Sequence, residues 1–182
     1  MEIKSQHIEI EKHPLEPFLP ENAKLLMLGS FPPPKARWSM EFYYPNLQND
    51  MWRIYGVLFF GDKDYFLEKG KKAFSRERLV AFLEETGVAL FDTAMEVIRQ
   101  RGNASDQFLE IVTPVDLEAV LERIPECKAI VTTGQKATDT LLAMVRVKAP
   151  KVGNTNVRFH QKDTLRRFFE RIEKKGLTVN RL

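Results

Sequence analysis

The sequence predicts an α/β fold, a three-layer α/β/α sandwich around a central, mostly parallel sheet of four strands. The first observation is that short apolar runs, typical of buried strands, alternate with amphipathic segments typical of helices. Such alternation favours a parallel sheet with helices on both faces. The second is the length of 182 residues with 43% hydrophobic content, which suits one domain, residues 1–182, with a sizeable core.

Local patterns predict most of the elements. Strands are predicted at residues 23–28, 88–91 and 129–132, each a short apolar run. Helices are predicted at residues 49–59, 76–86 and 135–147, and another begins at Thr113, the expected N-cap, with Pro114 in its first turn. Gly87 is expected to end the helix at 76–86. The fourth strand is expected after residue 147, because a parallel sheet needs a strand between that helix and the amphipathic segment that begins near Gln161.

The segment 25–52 carries the clearest indication of a binding site. The first strand is followed by Gly29 and the proline-rich turn Ser30–Pro33. Glycine lets a ligand approach the backbone, and prolines fix the course of a loop. A run rich in aromatic and amide side chains follows at residues 38–52. Aromatic rings beside amides suit a flat, hydrogen-bonding ligand such as a nucleobase.

The same segment resembles the uracil-DNA glycosylase superfamily, and most of all its hypoxanthine-DNA glycosylase-like branch. The turn Gly29–Pro33 matches the GxxPx turn of the superfamily, and the pair Tyr43–Tyr44 matches the aromatic residues of that branch. The likeness extends to residues 13–17, 87–92 and 133–137. The resemblance implies a DNA glycosylase that hydrolyses the N-glycosidic bond of a deaminated base, hypoxanthine or uracil, as the first step of base-excision repair.

The second motif of the superfamily, a His-Pro-Ser or Pro-Ser loop that enters the minor groove, is not found in the sequence. The resemblance places it after the fourth strand, but segment 148–160 has no convincing apolar run, and His160 is followed by Gln161. Two interpretations stay open: the loop is deleted from this protein, or residues near 152–157 are missing from the printed chain. If residues are missing, segment 151–157 should flank a gap beside the pocket mouth at residues 29–33.

The chemistry of base excision assigns roles to several of these residues. An enzyme that acts on a base in a duplex extrudes it, stacks it on an aromatic ring and contacts its edge. The resemblance implies that Tyr44 is the stacking ring, although a core tyrosine is the alternative. The third turn position usually holds a polar residue that positions water, but here it is Phe31. The resemblance to the hypoxanthine-type branch implies that Asn49 takes this role, with Asn46 as a fallback, although Asn49 also suits a helix N-cap.

The remaining site assignments concern the pocket wall and the DNA backbone. Asp92, at the end of a predicted strand, is either a helix cap or a site carboxylate. The residues assigned to substrate binding are Gly29, Ser30, Phe31, Pro32, Tyr44 and Ser39, with Ser39 expected to contact a phosphate. The net charge of +3, from 28 basic and 25 acidic residues, is too small to indicate DNA binding by itself. The DNA contacts are assigned to Lys35, Arg37 and Arg158, and solvated surface residues are the alternative.

Neither a metal nor a cofactor is predicted. The single cysteine, Cys127, excludes an all-cysteine iron–sulfur cluster and fits a small core residue. No apolar run reaches roughly 18 residues, and the N-terminus lacks the apolar stretch of a signal peptide. We therefore expect a cytoplasmic protein with no membrane partner. The resemblance implies that its partner is DNA with a damaged base, and we expect a monomer.

Two further functions compete with the glycosylase. A catalytically inactive relative would keep the pocket and bind a nucleobase or nucleic acid without cleavage, which would agree with Phe31 and the missing second motif. A small nucleotide-binding α/β protein is the third possibility. The sequence disfavours it, because neither a GxGxxG nor a GxxxxGK[ST] phosphate loop is present.

Overall fold

The computed structural model describes residues 9–100 and 105–148, with side chains to residue 144. The strands are β1 (Ile10–Lys12), β2 (Leu25–Gly29), β3 (Val88–Asp92), β4 (Ala94–Arg99), β5 (Leu109–Pro114) and β6 (Ala129–Thr132). The helices are α1 (Met51–Phe60), α2 (Arg76–Thr86), α3 (Leu117–Glu122) and α4 (Gln135–Lys148). Short 3₁₀ turns lie at Lys35–Arg37 and Asp106–Phe108. No helix within these ranges is long and apolar enough to cross a membrane.

A parallel sheet in the order β3-β2-β6 forms the centre of the described fold. Leu28 of β2 lies beside Phe91 on one side and Thr132 on the other, and Gly29 lies beside Asp92. Every residue of β3 is buried, and all but the first residue of β2, because parallel strands are covered on both faces. The register brings the carboxyl ends of the three strands to one edge of the sheet.

A second sheet, which the sequence patterns did not predict, is antiparallel and has the order β1-β4-β5. Only Thr93 separates β3 from β4, so the chain passes directly from one sheet into the other. The predicted N-cap at Thr113 is wrong, because Thr113 and Pro114 lie in β5 and pair with β4. The helix begins later, at Leu117, and the Asp116 carboxylate caps it by accepting from the Ala119 N–H at 3.2 Å.

The mixed α/β character is as predicted, but the described parallel sheet has three strands rather than four. The fourth strand was expected after α4, and segment 148–160 lies almost entirely outside the described residues. The interpretations of residues 151–157 and of His160 fall outside them too. The predictions for α2, for its end at Gly87 and for β6 are confirmed, since Gly87 has φ +68° and donates its N–H to the Leu83 carbonyl.

The main core lies against the parallel sheet and is rich in aromatic side chains. Trp52 of α1 is fully buried, donates its indole N–H to the Tyr43 carbonyl at 3.0 Å and contacts Phe66 edge-on. Each large apolar side chain buried in this way stabilises the fold by about 1.5–3 kcal/mol. A smaller cluster of Phe31, Ala94, Val97 and Leu109 lies at the second sheet. Phe31 therefore connects the turn after β2 to this cluster.

Candidate active site

A cavity of about 490 Å³ opens at the edge where the three parallel strands end. Gly29 ends β2, Asp92 ends β3 and Thr133 follows β6, and all three residues line the cavity. Open α/β sheets bind ligands at this edge, since the loops after the strands converge there. The other walls come from the turn after β2, from the loop before α1 and from Gly134 and Asp106.

The turn after β2 is held in place by a buried arginine. The Arg99 side chain is only 4% exposed, makes a two-nitrogen ion pair with Glu11 and donates to the Pro32 carbonyl at 2.9 Å. Its guanidinium also lies 5.9 Å from the centroid of the Phe31 ring. Ser30 is buried at the cavity wall, and within the described residues its hydroxyl makes no hydrogen bond. The predicted turn residues therefore meet at the cavity.

Tyr44 adopts a backbone conformation that is unusual for a tyrosine, with φ +48°. Left-handed backbone costs a residue with a side chain about 1–2 kcal/mol, so the surrounding contacts must stabilise it. The Tyr44 hydroxyl lies 2.8 Å from Thr133 Oγ1, and the Tyr44 and Trp52 rings form a T-shaped pair with their centroids 5.7 Å apart. Burial raises the pKa of the Tyr44 phenol above its ordinary value, as does the nearby Asp92 carboxylate, so the phenol stays protonated.

The neighbouring ring of Tyr43 is more deeply packed. It is 3% exposed, donates its hydroxyl to the Glu16 carbonyl at 2.8 Å and packs near His13 and Phe91. Burial and the Asp92 carboxylate raise the pKa of this phenol also. Tyr43 thus supports the wall of the cavity from the core.

The two predicted amide residues lie together in the loop before α1 and both line the cavity. Asn46 Oδ1 accepts from the Gln48 N–H at 2.9 Å, and Asn49 Oδ1 accepts from the Met51 N–H at 2.9 Å. The alternative interpretation of Asn49 as the N-cap of α1 is wrong, because Asp50 takes that position, although Asn49 Oδ1 still accepts from the first N–H of the helix. The Asn49 amide N–H₂ makes no hydrogen bond within the described residues and is exposed beside the cavity.

Asp92 lies at the floor of the cavity. A Cβ atom placed on Gly29 would lie 2.2 Å from Asp92 Oδ1 and 3.5 Å from the Tyr44 hydroxyl, so glycine is needed for this close approach. Asp92 Oδ2 lies 2.9 Å from Nε2 of His13. Of the two interpretations of Asp92, the helix cap is wrong, because strand β4 follows it.

The residues assigned to DNA contact and phosphate binding take different positions. Arg37 lines the cavity, and within the described residues its side chain has no hydrogen bond or ion pair. Lys35 is half-exposed, pairs with Glu41 and lies 3.9 Å from the centroid of the Trp38 ring. The Ser39 hydroxyl donates to the Pro45 carbonyl at 2.7 Å and does not line the cavity. Arg158 lies outside the described residues.

The described part of the cavity offers hydrogen-bonding groups and the carboxylates of Asp92 and Asp106. The donors include the Asn49 and Asn46 amides, the Ser30 hydroxyl and the Arg37 guanidinium, and the rings of Tyr44 and Phe31 supply apolar walls. No group of three or more potential metal-ligating side chains occurs among residues 9–100 and 105–148.

The chain is similar to a solved structure, the solution NMR structure of a proposed uracil DNA glycosylase from Methanosarcina acetivorans. The sequences are 24% identical, the TM-score is 0.60, and the match covers 91% of this chain and 99% of that chain. The two proteins share a fold. No protein-family model matches the chain, and no curated protein matches its sequence.

Sequence reasoning missed the parts played by His13, Thr133 and Arg99. His13 was noted only as part of the resemblance at residues 13–17, and its pairing with Asp92 spans 79 positions. Thr133 directly follows a correctly predicted strand, so the rule that parallel strands end at one edge of the sheet would have found it. Arg99 had no such indication, because β4 itself was not predicted.

Proposed function

We propose that the protein is a DNA glycosylase that hydrolyses the N-glycosidic bond between a deaminated base, hypoxanthine or uracil, and its sugar in DNA. The supporting observation is the cavity at the carboxyl ends of β2, β3 and β6, which is lined by the Tyr44 ring, exposed amide donors and two carboxylates. The fold shared with a proposed uracil DNA glycosylase supports the same activity. The resemblance at Gly29–Pro33 and Tyr43–Tyr44 favours the hypoxanthine-type branch.

The size and chemistry of the cavity suit an extruded nucleobase. A volume of about 490 Å³ accommodates a purine with part of its sugar. In the proposed complex the base stacks on Tyr44, which Thr133 and Trp52 hold in place. Stacking on one aromatic ring contributes about 1–3 kcal/mol, which offsets part of the cost of extruding the base.

The bond cleavage needs groups that stabilise developing charge. Positive charge grows on the sugar and negative charge on the departing base, so preorganised donors aimed at the base lower the barrier. We assign this role to the Asn49 amide, with Asn46 as the fallback, because its Oδ1 is fixed by Met51 while its N–H₂ remains available. Ser30 and the backbone of the turn complete the proposed base pocket.

Four residues are proposed as DNA contacts: Lys35, Arg37, Arg158 and Ser39. Arg37 is the strongest of them, because it lines the cavity and makes no hydrogen bond or ion pair within the described residues. Lys35 is held by Glu41, so it would need to release this partner to reach a phosphate. Arg158 and Ser39 remain proposed contacts as well.

A cleavage assay on defined duplexes tests the proposal. The protein is incubated with end-labelled duplexes that carry uracil, hypoxanthine or only normal bases, and each sample is then heated in alkali, which breaks the strand at abasic sites. We expect scission at the deaminated base and none in the normal duplex. Without alkali the strand should stay intact, because a simple hydrolytic glycosylase leaves the backbone unbroken.

The second candidate function is a catalytically inactive relative that binds a nucleobase or nucleic acid. The observation that favours it is Phe31, which places an apolar ring where related enzymes carry a polar residue that positions water. Tight and selective binding of the uracil or hypoxanthine duplex without alkali-sensitive sites would support this function and overturn the enzymatic one.

A further inference from the structure

We propose that Asp92 is the proton acceptor of the base-release reaction and that the buried His13 positions its carboxylate. The inference rests on the proposed function and deepens it. Asn49 leaves a gap in that mechanism, because an amide can orient a water molecule but cannot take up its proton at neutral pH. A basic side-chain atom at the cavity would supply the missing proton acceptor.

Among the described residues that line the cavity, two carboxylates could accept the proton, those of Asp92 and Asp106. Burial raises the pKa of both Tyr43 and Tyr44, so these phenols remain neutral and are poor proton acceptors. Phe31, at the position that carries the polar group in related proteins, has no polar atom in its side chain. The proton must therefore go to a carboxylate if a side chain of the described cavity accepts it.

The placement of the two carboxylates favours Asp92. It is 5% exposed, lies opposite Gly29 in the parallel register and directs Oδ1 to within 2.2 Å of where a Gly29 Cβ would stand. Asp106 lies on a short 3₁₀ turn, is only partly buried and approaches the cavity near Gly134. Asp92 is thus part of the rigid sheet edge, and a rigid support keeps a catalytic group in its productive geometry.

His13 fixes which Asp92 oxygen faces the cavity. The imidazole is fully buried, and its Nε2–H donates to Asp92 Oδ2 at 2.9 Å, so Oδ1 is the oxygen that remains at the floor. Nδ1 lies 2.8 Å from the Leu15 carbonyl and 3.2 Å from the Leu15 N–H. Both ring nitrogens therefore face polar partners, and these contacts hold the imidazole in place.

The surroundings of His13 indicate that the pair has a purpose other than packing. The imidazole is surrounded by aromatic rings, with centroids 4.9 Å from Phe91, 5.3 Å from Phe31 and 6.3 Å from Tyr43. Burying polar groups among such rings carries a desolvation cost that an apolar residue would avoid. Buried pairs that reach a cavity commonly serve its chemistry, since this is where proteins tolerate such a cost.

In the proposed step a bond from C1′ to the water oxygen replaces the bond from C1′ to the base, and Asp92 accepts a proton from the water. The water oxygen bonds to C1′ of the sugar while Asp92 Oδ1 takes one of its protons. The bond between C1′ and the base nitrogen breaks, and its electron pair leaves with the base, which is then protonated from solvent. Asp92 returns its proton to solvent as the products leave, so no other reactant is consumed.

The first test is the substitution Asp92→Asn, which keeps the size of the side chain and removes the proton acceptor. Single-turnover rates are measured at saturating protein on uracil and hypoxanthine duplexes. We expect a fall of about 10²- to 10⁴-fold on every duplex that the wild type cleaves, with DNA affinity changed by less than about threefold. The matched control is Asp64→Asn, at an exposed aspartate that does not line the cavity, which should keep the wild-type rate.

Three further single variants separate catalysis from folding. Asp92→Ala, with its unfolding temperature checked, should regain at least about tenfold in rate when sodium formate supplies a small carboxylate, a response that a structural role would not give. His13→Gln can keep an N–H near Asp92, whereas His13→Leu removes it. We expect the Gln variant to be faster than the Leu variant by about tenfold, and His13→Leu to add little loss to Asp92→Asn, because the two residues act as a unit.

The outcomes are distinguishable. A folded Asp92→Asn variant with the wild-type rate overturns the inference and leaves the proposed function standing, and so does a loss of rate at Asp106→Asn alone. A changed preference between uracil and hypoxanthine, without a slower reaction on the better duplex, would make Asp92 a base-recognition residue and overturn its role as proton acceptor. A wild type that releases no base overturns the proposed function and this inference together.

Discussion

Tyr44 combines a strained backbone with the proposed role of stacking on the base. Its left-handed backbone turns the ring into the cavity wall, where the hydroxyl reaches Thr133. A strained backbone persists only where the surrounding contacts stabilise it, and such residues cluster at functional sites. The adjacent Tyr43, with ordinary backbone and a core position, lacks this feature.

We expect Tyr44→Ala to weaken binding to a duplex with a deaminated base at least several-fold, because stacking contributes about 1–3 kcal/mol. Tyr44→Phe is the matched control, since it keeps the ring and removes only the hydrogen bond to Thr133, and its affinity should stay near that of the wild type. Fluorescence anisotropy with labelled duplexes measures both. A greater loss of affinity in a folded Tyr43→Ala variant would assign the stacking role to Tyr43 instead.

We expect Asn49→Ala to lower the rate of base release by about 10²- to 10³-fold with little change in DNA affinity. The same change removes the acceptor for the Met51 N–H and should cost about 1 kcal/mol of unfolding free energy. Asn49→Asp separates the two effects, because a carboxylate keeps the acceptor and removes the amide donor. Single-turnover rates and unfolding temperatures are measured for both variants.

The result for Asn49→Asp decides the assignment. A stable variant with a strongly reduced rate supports the amide as the donor to the reacting base or water. A stable variant with the wild-type rate would remove Asn49 from the mechanism and transfer the role to Asn46 or Ser30, which also line the cavity.

At the scale of elements, two glycines with the same conformation at helix ends differ in their surroundings. Gly61 ends α1 and Gly87 ends α2, both with φ +68°. A Cβ on Gly61 would meet nothing within 4 Å, whereas on Gly87 it would lie 2.6 Å from the Asn22 carbonyl oxygen. The Gly87 position therefore joins a helix end to the start of the parallel sheet through close backbone packing.

We expect Gly61→Ala to lower the unfolding free energy by about 1 kcal/mol, the cost of left-handed backbone for alanine. Gly87→Ala should cost clearly more, because the added methyl group also collides with the Asn22 carbonyl oxygen. Denaturant titrations of both variants measure the difference. Equal losses would mean that the backbone near Asn22 moves aside without penalty.

The elements that the sequence predicted well are those whose patterns are local. The helix at 76–86 and the strand at 129–132 have clear periodicity and ends, and the structure places them at the same residues. The antiparallel sheet depends on pairing β1 with β4, whose partners such as Ile10 and Ile98 are far apart in sequence. Thr113 and Pro114 have the local pattern of a helix start. They are strand residues only because they pair with β4, which a local pattern does not show.

The site was predictable to the extent that strand ends and a family resemblance could place it. The turn at Gly29, the Tyr44 ring and the amides of Asn46 and Asn49 do come together at one cavity. The pairing of His13 with Asp92 was not predictable, because it requires the loop before β2 to return to the end of β3. Charge gave little help, since the overall net charge of +3 does not locate Arg37 at the cavity.

At the scale of the whole molecule, the parallel sheet carries the loops that form the cavity, and the second sheet supports them. β4 continues directly from β3 and supplies Arg99, which holds the turn after β2 by its Pro32 carbonyl. The second sheet thus supports a turn that lines the cavity, so both sheets help to position the groups that the proposed reaction requires.

The central claim is that this cavity releases a deaminated base from DNA. The most direct measurement is to incubate excess protein with uracil, hypoxanthine and normal duplexes and to quantify the free base by mass spectrometry. The account predicts that uracil or hypoxanthine appears in an amount equal to the abasic sites formed, and that the normal duplex yields no free base. Tight binding of a deaminated duplex by the folded protein, without any free base, would contradict it.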